Sequence, residues 1–365
     1  MTKTRALSLC LTAAMVAGAA ADILWIGTFT ATKGSGIYTT EFDPASGTLG
    51  TPELARQATD PSFLAVHPGK PYLYSIGRSL IYSFSYDSAG KLKPINELPA
   101  TGKGPCHLAV SPAGDFLAVA SFIQGKAVTY TLMPEGNVAG VKSVASPQGS
   151  GPIKGKQDEP HPLGVLFSGD FLFVPDMGTD RILAYKLNNG TLRPADVSEF
   201  VAQPGDGPRH LAAHPDGKHL FAVHMLSNTV EVLLQEGPKL TSQARLSTLP
   251  EDFKAENTAC GIGVHPNGKW VLASNRGHDS IAVYRFTPEP ANLELKEIVP
   301  VGVKSPRHFA FDASGKWLLV AGEKSNEIRV LSFDPASGDL KATEHKASVP
   351  APACLLFQPA APADG

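Results

Sequence analysis

The stretch GPRHLAAHPDGKHLFAVHML, residues 207–226, contains the pattern that decides the fold. A short apolar segment leads into the turn His-Pro-Asp-Gly-Lys, and a second apolar segment follows at once. The stretch SPRHFAFDASGKWLLVAGEK, residues 305–324, repeats the same order. A glycine-containing tight turn between two strand-like runs is typical of a β-hairpin. The pattern therefore predicts two neighbouring antiparallel strands in each stretch.

The same unit recurs along the chain. Further copies are PSFLAVHPGKPYLYSIGR from Pro61, GPCHLAVSPAGDFLAVASF from Gly104, EPHPLGVLFSGDFLFVPDMG from Glu159 and TACGIGVHPNGKWVLASNRG from Thr258. The period of roughly 45 residues is that of propeller blades, and an inserted loop at residues 146–159 explains one longer step. A third alternating segment and a fourth, more polar one complete each unit, as in residues 280–286 and 294–300. Four strands per repeat predict an all-β propeller.

The two ends of the chain supply the seventh unit. APACLLFQP, residues 351–359, resembles the first strand of a unit, and ILWIGTF, residues 23–29, resembles a second strand. Pairing both ends in one sheet closes the ring and removes exposed edges that promote aggregation. We predict a seven-bladed β-propeller that forms one domain over residues 22–365.

Residues 1–21 have the pattern of a secretory signal peptide. Lys3 and Arg5 precede an apolar run, and small residues end it at Ala21. The run is shorter than the roughly 20 apolar residues of a membrane span, and no other run is long enough. We predict cleavage near Ala21 and a periplasmic or secreted protein without a membrane anchor; a buried first helix is the alternative.

Composition narrows the possible partners. The net charge of -2 provides no basic field, which argues against nucleic acid as a partner. Cys106, Cys260 and Cys354 are too widely spaced for a disulfide framework or a zinc site, so we expect buried thiols. A closed propeller needs no partner for stability, and we expect a monomer.

In a propeller, the residues before each innermost strand meet at one mouth of the central channel, and the loops between second and third strands reach the same face. There we predict catalytic roles for His161, Arg209 and Arg276. Substrate binding is predicted for His107, His210, His224, Arg307, His308 and Glu323. Further polar residues expected nearby are Cys106, Asp176, Asp180 and Asp279.

These residue types suit the hydrolysis of a lactone. Arginine binds carboxylate or phosphate oxygens through a fixed fork of donors, and histidine transfers protons near neutral pH. Hydrolysis needs an activated water, a donor to the developing oxyanion and an acid for the leaving alkoxide. No Gly-x-Ser-x-Gly motif indicates a serine hydrolase, and no His-Glu-x-x-His spacing indicates a metal. We expect no metal and no cofactor.

Structural roles are the alternative for several of these residues. A histidine that follows Pro-x often stabilises the start of a strand. Asp180 and Asp279 alternatively form hydrogen bonds to their own turns. His214 and His265 lie in the His-Pro-x-Gly-Lys turns, and we expect them to face solvent.

The segments GIYTTEFDPASGTL, DMGTDRI, LSNTVEV and ASNRGHDSIAVY, together with the Gly-Pro-x-His units, resemble the seven-bladed propeller lactonase family. That family includes one type of 6-phosphogluconolactonase and the fungal carboxy-cis,cis-muconate cyclising enzyme. The resemblance implies a lactone or related carboxylate substrate and no obligatory organic cofactor. It also implies that His161, Arg209 and Arg276 belong to the site.

The chain departs from the family pattern at several polar positions. Met225 stands where the family has a glutamate. An acidic residue usually precedes Ile-His-Val in the fifth unit, where this chain has Gly261 and Gly263. Ser121-Phe122 replaces Asn-Tyr, and Leu163 replaces a second histidine. Two hypotheses follow. The chain is a lactone hydrolase, with His224 or Glu323 as a substitute for the missing glutamate, or it is a non-catalytic exported propeller that binds an anionic ligand or a partner protein at the same mouth.

Overall fold

The computed structural model describes residues 21–29 and 36–359 and shows seven small antiparallel sheets. Every regular element within these two ranges is a β-strand, so the all-β prediction is confirmed. No helix in this part of the chain is long and apolar enough to cross a bilayer. The predicted signal peptide, apart from Ala21, lies outside the described residues.

The strands follow the chain blade by blade. Blade 1 has β1 (Asp22–Thr28), β2 (Gly36–Asp43), β3 (Thr48–Leu49) and β4 (Glu53–Gln57). Blade 2 has β5 (Phe63–Val66), β6 (Tyr72–Ile76), β7 (Leu80–Tyr86) and β8 (Leu92–Pro99). Blade 3 has β9 (Pro105–Val110), β10 (Phe116–Ser121), β11 (Lys126–Leu132) and β12 (Val138–Ala145). Blade 4 has β13 (Leu166–Ser168), β14 (Phe171–Asp176), β15 (Arg181–Asn188) and β16 (Thr191–Val201).

The remaining blades follow the same order. Blade 5 has β17 (Pro208–Ala213), β18 (His219–His224), β19 (Thr229–Glu236) and β20 (Lys239–Ser247). Blade 6 has β21 (Thr258–Val264), β22 (Trp270–Arg276), β23 (Ser280–Pro288) and β24 (Ala291–Pro300). Blade 7 has β25 (Pro306–Phe311), β26 (Trp317–Gly322), β27 (Glu327–Phe333) and β28 (Leu340–Ser348). The last strand is β29 (Pro352–Phe357).

The ends of the chain close the ring. Strand β29 pairs antiparallel with β1, with Leu355 opposite Ile26 and Leu356 opposite Trp25. The outer edge of blade 1 is shared by β3 and β4, which both pair with β2. The seven-bladed propeller with paired chain ends is therefore confirmed.

Apolar layers between neighbouring blades form the core. Seven clusters of buried side chains each combine residues from two adjacent blades. In β10, Leu117 and Val119 pack against blade 2, whereas Ala118 and Ala120 pack against blade 4. Burying a leucine or valine side chain stabilises the fold by roughly 1.5–3 kcal/mol. The second strand of a blade, such as β10, is covered on both faces by the neighbouring blades. Its sequence is therefore a continuous apolar run.

The turn histidines do not face solvent, and this prediction was wrong. His265 is 3% exposed, and its Nε2–H donates to the carbonyl of Gly315 in blade 7 over 2.9 Å. His214 makes the same contact, also 2.9 Å, with Gly268 in blade 6. A Cβ at Gly268 would approach His214 Nε2 to 2.7 Å, so glycine is needed for this close approach. Each ring therefore joins one blade to the next on the face away from the strand starts.

Candidate active site

The starts of the innermost strands and the loops between second and third strands share one face of the ring. A cavity of about 690 Å³ opens there over blades 5, 6 and 7, and we call it the mouth cavity. Its lining residues are Lys156, Met225, Glu256, Asn257, Thr258, Arg276, Gly277, Asp279, Lys304, Ser305, Glu323 and Lys324. A second cavity of about 630 Å³ over blades 2 and 3 is lined by other residues, among them Phe29, Arg78 and Lys103.

Arg276, the last residue of β22, lines the mouth cavity with an unsatisfied donor. Its Nε is buried and has no hydrogen-bond partner among the described residues. A buried donor without a partner costs about 1–3 kcal/mol. A ligand oxygen at this nitrogen would remove that cost.

Arg209 lies beneath the same cavity and is 5% exposed. Its Nε donates to the carbonyl of Cys260 over 3.2 Å, and one terminal nitrogen lies 3.7 Å from the Met225 sulfur. Burial and the charges of Arg276 and Arg307 lower the pKa of Arg209 to about 10. Arg209 remains protonated at neutral pH, in a position where an anion would be favoured.

Arg307 and Glu323 form an ion pair at the edge of the cavity. The terminal nitrogen of Arg307 donates to Glu323 Oε2 over 3.1 Å, and the guanidinium lies 4.4 Å from the centre of the Phe29 ring. Met225 and Glu323 occupy equivalent positions, because His224 and Gly322 pair with Pro208 and Pro306. The cavity therefore holds one carboxylate at this repeat position, in blade 7 rather than in blade 5.

The three arginines at the mouth affect the pKa of the Cys260 thiol. Its Sγ donates to the carbonyl of Arg307 over 3.1 Å. Burial works to raise its pKa, but the charges of Arg209, Arg276 and Arg307 outweigh burial and lower it. Cys260 and Cys354 are buried and Cys106 is half-buried, and all three are free thiols.

Three histidines with Phe63 line the central channel below the mouth. The ring centres of His107 and His210 are 4.9 Å apart, and those of Phe63 and His308 are 5.6 Å apart. Burial and neighbouring positive groups lower the pKa of His107 to about 3 and that of His308 to about 4. The pKa of His210 is also lowered, by burial and by Arg209. These three imidazoles are neutral hydrogen-bonding groups at physiological pH.

His161 lies at the start of blade 4 on the mouth face, outside the lining of the mouth cavity. Its ring stacks on Phe122, with centres 4.4 Å apart, and Nδ1 is 2.9 Å from the Phe122 carbonyl. A carbonyl only accepts, so Nδ1 carries the hydrogen and Nε2 is the basic atom of the neutral ring. The His161 backbone N–H donates to Asp176 Oδ1 over 2.6 Å, and burial raises the pKa of Asp176.

His224 is fully buried inside blade 5, and the structure does not bring it to the cavity surface. Its Nε2 lies 2.9 Å from Glu231 Oε2, and Glu231 also accepts a hydrogen bond from Ser242 over 2.6 Å. The side chain of a strand residue cannot be assigned to either face before the register is known. Substrate contact by His224 is therefore not supported by its position.

Asp180 and Asp279 accept hydrogen bonds from the segment that leads into the next blade rather than from their own turns. Asp180 accepts hydrogen bonds from Gly205 and Gly207, both 2.7 Å, and Asp279 accepts one from Ser305 over 2.8 Å. Asp279 also pairs with Lys304 over 3.1 Å at the cavity wall. These carboxylates hold the strand starts that carry Arg209 and Arg307.

The inserted loop contributes a cation that the repeat pattern did not predict. Lys156 lines the mouth cavity, and the buried amide of Gln157 donates to the Met177 carbonyl and to Asp180 Oδ1, both over 2.7 Å. The other blades have no equivalent of this loop, so no repeat pattern predicted the position of its side chains. The longer step between two repeat units was the only sequence signal for it.

A family model described as "Lactonase, 7-bladed beta-propeller" matches residues 23–357. The chain belongs to this family. It is 30% identical to a Bacillus subtilis protein named 6-phosphogluconolactonase, over 91% of this chain and 97% of that protein. It is 32% identical to a protein of the same name from Formosa agariphila, over 80% of this chain and 87% of the relative.

A solved structure shares the whole architecture. The periplasmic gluconolactonase of Pseudomonas aeruginosa aligns with a TM-score of 0.89 and 28% identity, over 94% of this chain and 100% of the other. Membership of this lactonase family agrees with the seven blades of the structure.

Proposed function

We propose that this chain is an exported hydrolase of sugar-type or carboxylated lactones, similar to 6-phosphogluconolactonase, that works as a monomer at the mouth cavity. The observation that carries the proposal is the unpaired Nε of Arg276 in the mouth cavity, with the charges of Arg209 and Arg307 nearby. The lining holds Arg276 and three lysines against three carboxylates, and Arg209 and Arg307 add two positive charges nearby. This excess of positive charge favours a substrate that develops negative charge.

The named relatives support the reaction and the compartment. Two curated relatives are named 6-phosphogluconolactonase, and one structural neighbour is described as a periplasmic gluconolactonase. The predicted signal peptide supports a periplasmic or secreted location. An exported enzyme meets external sugar lactones rather than cytosolic sugar phosphates, so we propose that the phosphate group is not required.

The proposed reaction needs only side chains and water. A water molecule adds to the lactone carbonyl carbon, and Arg276 and Arg209 donate hydrogen bonds to the oxyanion that forms. His161 lies beside the mouth cavity rather than in its lining, so this role requires the lactone to reach from Arg276 toward blade 4. Nε2 of His161 then accepts the proton of the water and returns it to the ring oxygen as that C–O bond breaks. The product is the open hydroxy acid. Glu323 holds Arg307 in place at the edge of the cavity.

The proposal is tested with Arg276→Gln in the untagged mature chain. Proton release is followed for gluconolactone, 6-phosphogluconolactone and a few uncharged lactones, above the spontaneous rate. We expect kcat/KM to fall roughly 100-fold or more, because one oxyanion donor is lost. The matched control is Arg193→Gln on the exposed outer strand β16, which should leave turnover unchanged. Unchanged turnover in Arg276→Gln would place the site elsewhere.

Met225 supports a second candidate function, a non-catalytic propeller that binds an anion at the same mouth. Its sulfur contacts Arg209 where the family pattern has a glutamate, and a thioether transfers no proton. In that case calorimetry would show binding of gluconate or 6-phosphogluconate that Arg276→Gln abolishes, while no lactone is hydrolysed above the spontaneous rate.

A further inference from the structure

The turn between β17 and β18, on the face opposite the mouth, brings two imidazoles and a carboxylate together. His214 Nδ1 lies 3.0 Å and His219 Nδ1 lies 2.7 Å from Asp216 Oδ2. The three donor atoms all lie within 4.8 Å of one another. Imidazole nitrogen and carboxylate oxygen are common ligands of zinc and related divalent metals.

The hydrogen bonds of His214 orient its ring as a ligand. Its Nε2–H donates to the Gly268 carbonyl over 2.9 Å, so Nδ1 of the neutral ring carries a lone pair. Metal-binding histidines usually donate their other ring N–H to a carbonyl or carboxylate in this way. This Nδ1 accepts a long hydrogen bond from the Asp216 N–H over 3.2 Å, which a bound ion would replace, and it lies beside Asp216 Oδ2. Two atoms with lone pairs repel at 3.0 Å unless a proton or a cation lies between them.

Backbone hydrogen bonds orient the Asp216 carboxylate with one oxygen available. Its Oδ1 accepts the backbone N–H groups of Lys218 and His219 over 2.8 and 3.1 Å, which leaves Oδ2 to the imidazoles. Asp216 is exposed, so an ion has a path from solvent and water can complete its coordination.

The equivalent turn of blade 6 shows that this donor set is not a by-product of the repeat. There His265 makes the same carbonyl contact, and its Nδ1 accepts the Asn267 N–H over 3.1 Å. An amide, Asn267, replaces the carboxylate, and Trp270 replaces the second histidine. Of the two turns, only that of blade 5 combines the histidine that contacts the next blade with two further ligands, Asp216 and His219.

We propose that His214, Asp216 and His219 bind a divalent transition-metal ion, zinc being the best match. Zinc lies about 2.0–2.2 Å from nitrogen and oxygen ligands, so tetrahedral ligand atoms are about 3.4 Å apart. The two short separations need to open by less than about 1 Å to reach that spacing. The ion would join the turn to the start of β18 and, through the His214 ring, to blade 6. It therefore stabilises the ring at a distance from the mouth cavity.

The test is zinc titration by calorimetry on the untagged mature chain after chelator treatment. We expect one equivalent to bind, and Co²⁺ in its place to give the visible absorption of a nitrogen- and oxygen-ligated ion. The double variant Asp216→Asn/His219→Trp recreates the turn that blade 6 already contains, so it should fold. We expect its zinc affinity to fall roughly 100-fold or more, because two of three ligands are lost. Asp216→Asn alone is the second variant, in case the indole disturbs packing.

A matched control and a second readout make the outcome decisive. Asn267→Asp adds a carboxylate to the blade 6 turn without a second histidine and should leave zinc binding unchanged. Zinc at a hundredfold excess over Kd should raise Tm by about 3–4 °C in the native chain and not in the double variant. Zinc binding that is absent, or equally tight in the double variant, would overturn the proposal.

Discussion

The histidines of the mouth side and those of the turn side are both products of the repeat, yet their environments differ. On the turn side, His214 and His265 have both ring nitrogens in contact with backbone groups of the turns. On the mouth side, His107 and His308 accept one backbone N–H each through Nδ1, from Val165 and Leu355. Their other nitrogen is not used by the described chain.

This difference suggests a structural role for the turn-side histidines and a ligand-binding role for the mouth-side histidines. Where both nitrogens are satisfied and no carboxylate lies beside them, as at His265, a histidine only holds the ring together. Where one nitrogen stays available near Arg209 and Arg307, as at His107 and His308, the side chain can act on a ligand. Three substitutions or conditions test this division, beginning with the largest effect.

His161→Gln should lower kcat by about 10²–10⁴-fold, the usual contribution of a general acid–base group. Glutamine can keep the hydrogen bond to the Phe122 carbonyl but accepts no proton from water. The measurement is kcat for lactone hydrolysis above the spontaneous rate, with KM determined alongside. An unchanged kcat in the variant would show that His161 has a structural role.

Acidification should destabilise the fold through the channel histidines. In the unfolded chain these imidazoles titrate near pH 6.5, whereas burial lowers the pKa of His107 to about 3 and of His308 to about 4 in the fold. Below pH 6.5 the unfolded state binds more protons than the folded state. The contribution of these histidines to the free energy of unfolding is therefore fully present above pH 6.5 and falls toward pH 4. We expect Tm to drop by roughly 5 °C or more between pH 7 and pH 5.

The source of that drop is checked by substitution. His308→Gln should flatten the dependence of Tm on pH, and His345→Gln on the outer strand β28 should not. A dependence that is equally steep in His308→Gln would show that other groups cause it.

His265→Ala should destabilise the fold by about 2–3 kcal/mol, because it removes a buried hydrogen bond between blades and leaves a space. Urea denaturation measures the change, and lactone turnover at 25 °C should stay unchanged because the turn is on the opposite face from the mouth. Asn267→Ala, in the same turn but exposed, should cost much less. A loss of turnover without a loss of stability would contradict the division between the two faces.

The amino-acid sequence by itself determined the architecture of this protein. Turn chemistry, period-2 alternation and the recurrence of one unit are local properties, and they indicated four strands per blade. The strand-like segments at residues 23–29 and 351–359 further indicated that the ends share blade 1, as β1 and β29 do. The meeting of Arg209, Arg276 and Arg307 at one mouth also followed from the repeat.

Only the tertiary structure decided what the individual side chains contact. The innermost strands begin with a register shift between Pro208 and His210 and again between Pro306 and His308. A shift of one residue reverses the face of every side chain that follows, so no pattern along the chain assigns those faces. For the same reason the burial of His224 and the pairing of Arg307 with Glu323 became visible only once the blades were packed together. The turn histidines looked exposed because the carbonyl that each one binds belongs to the next blade, roughly 50 residues further along the chain.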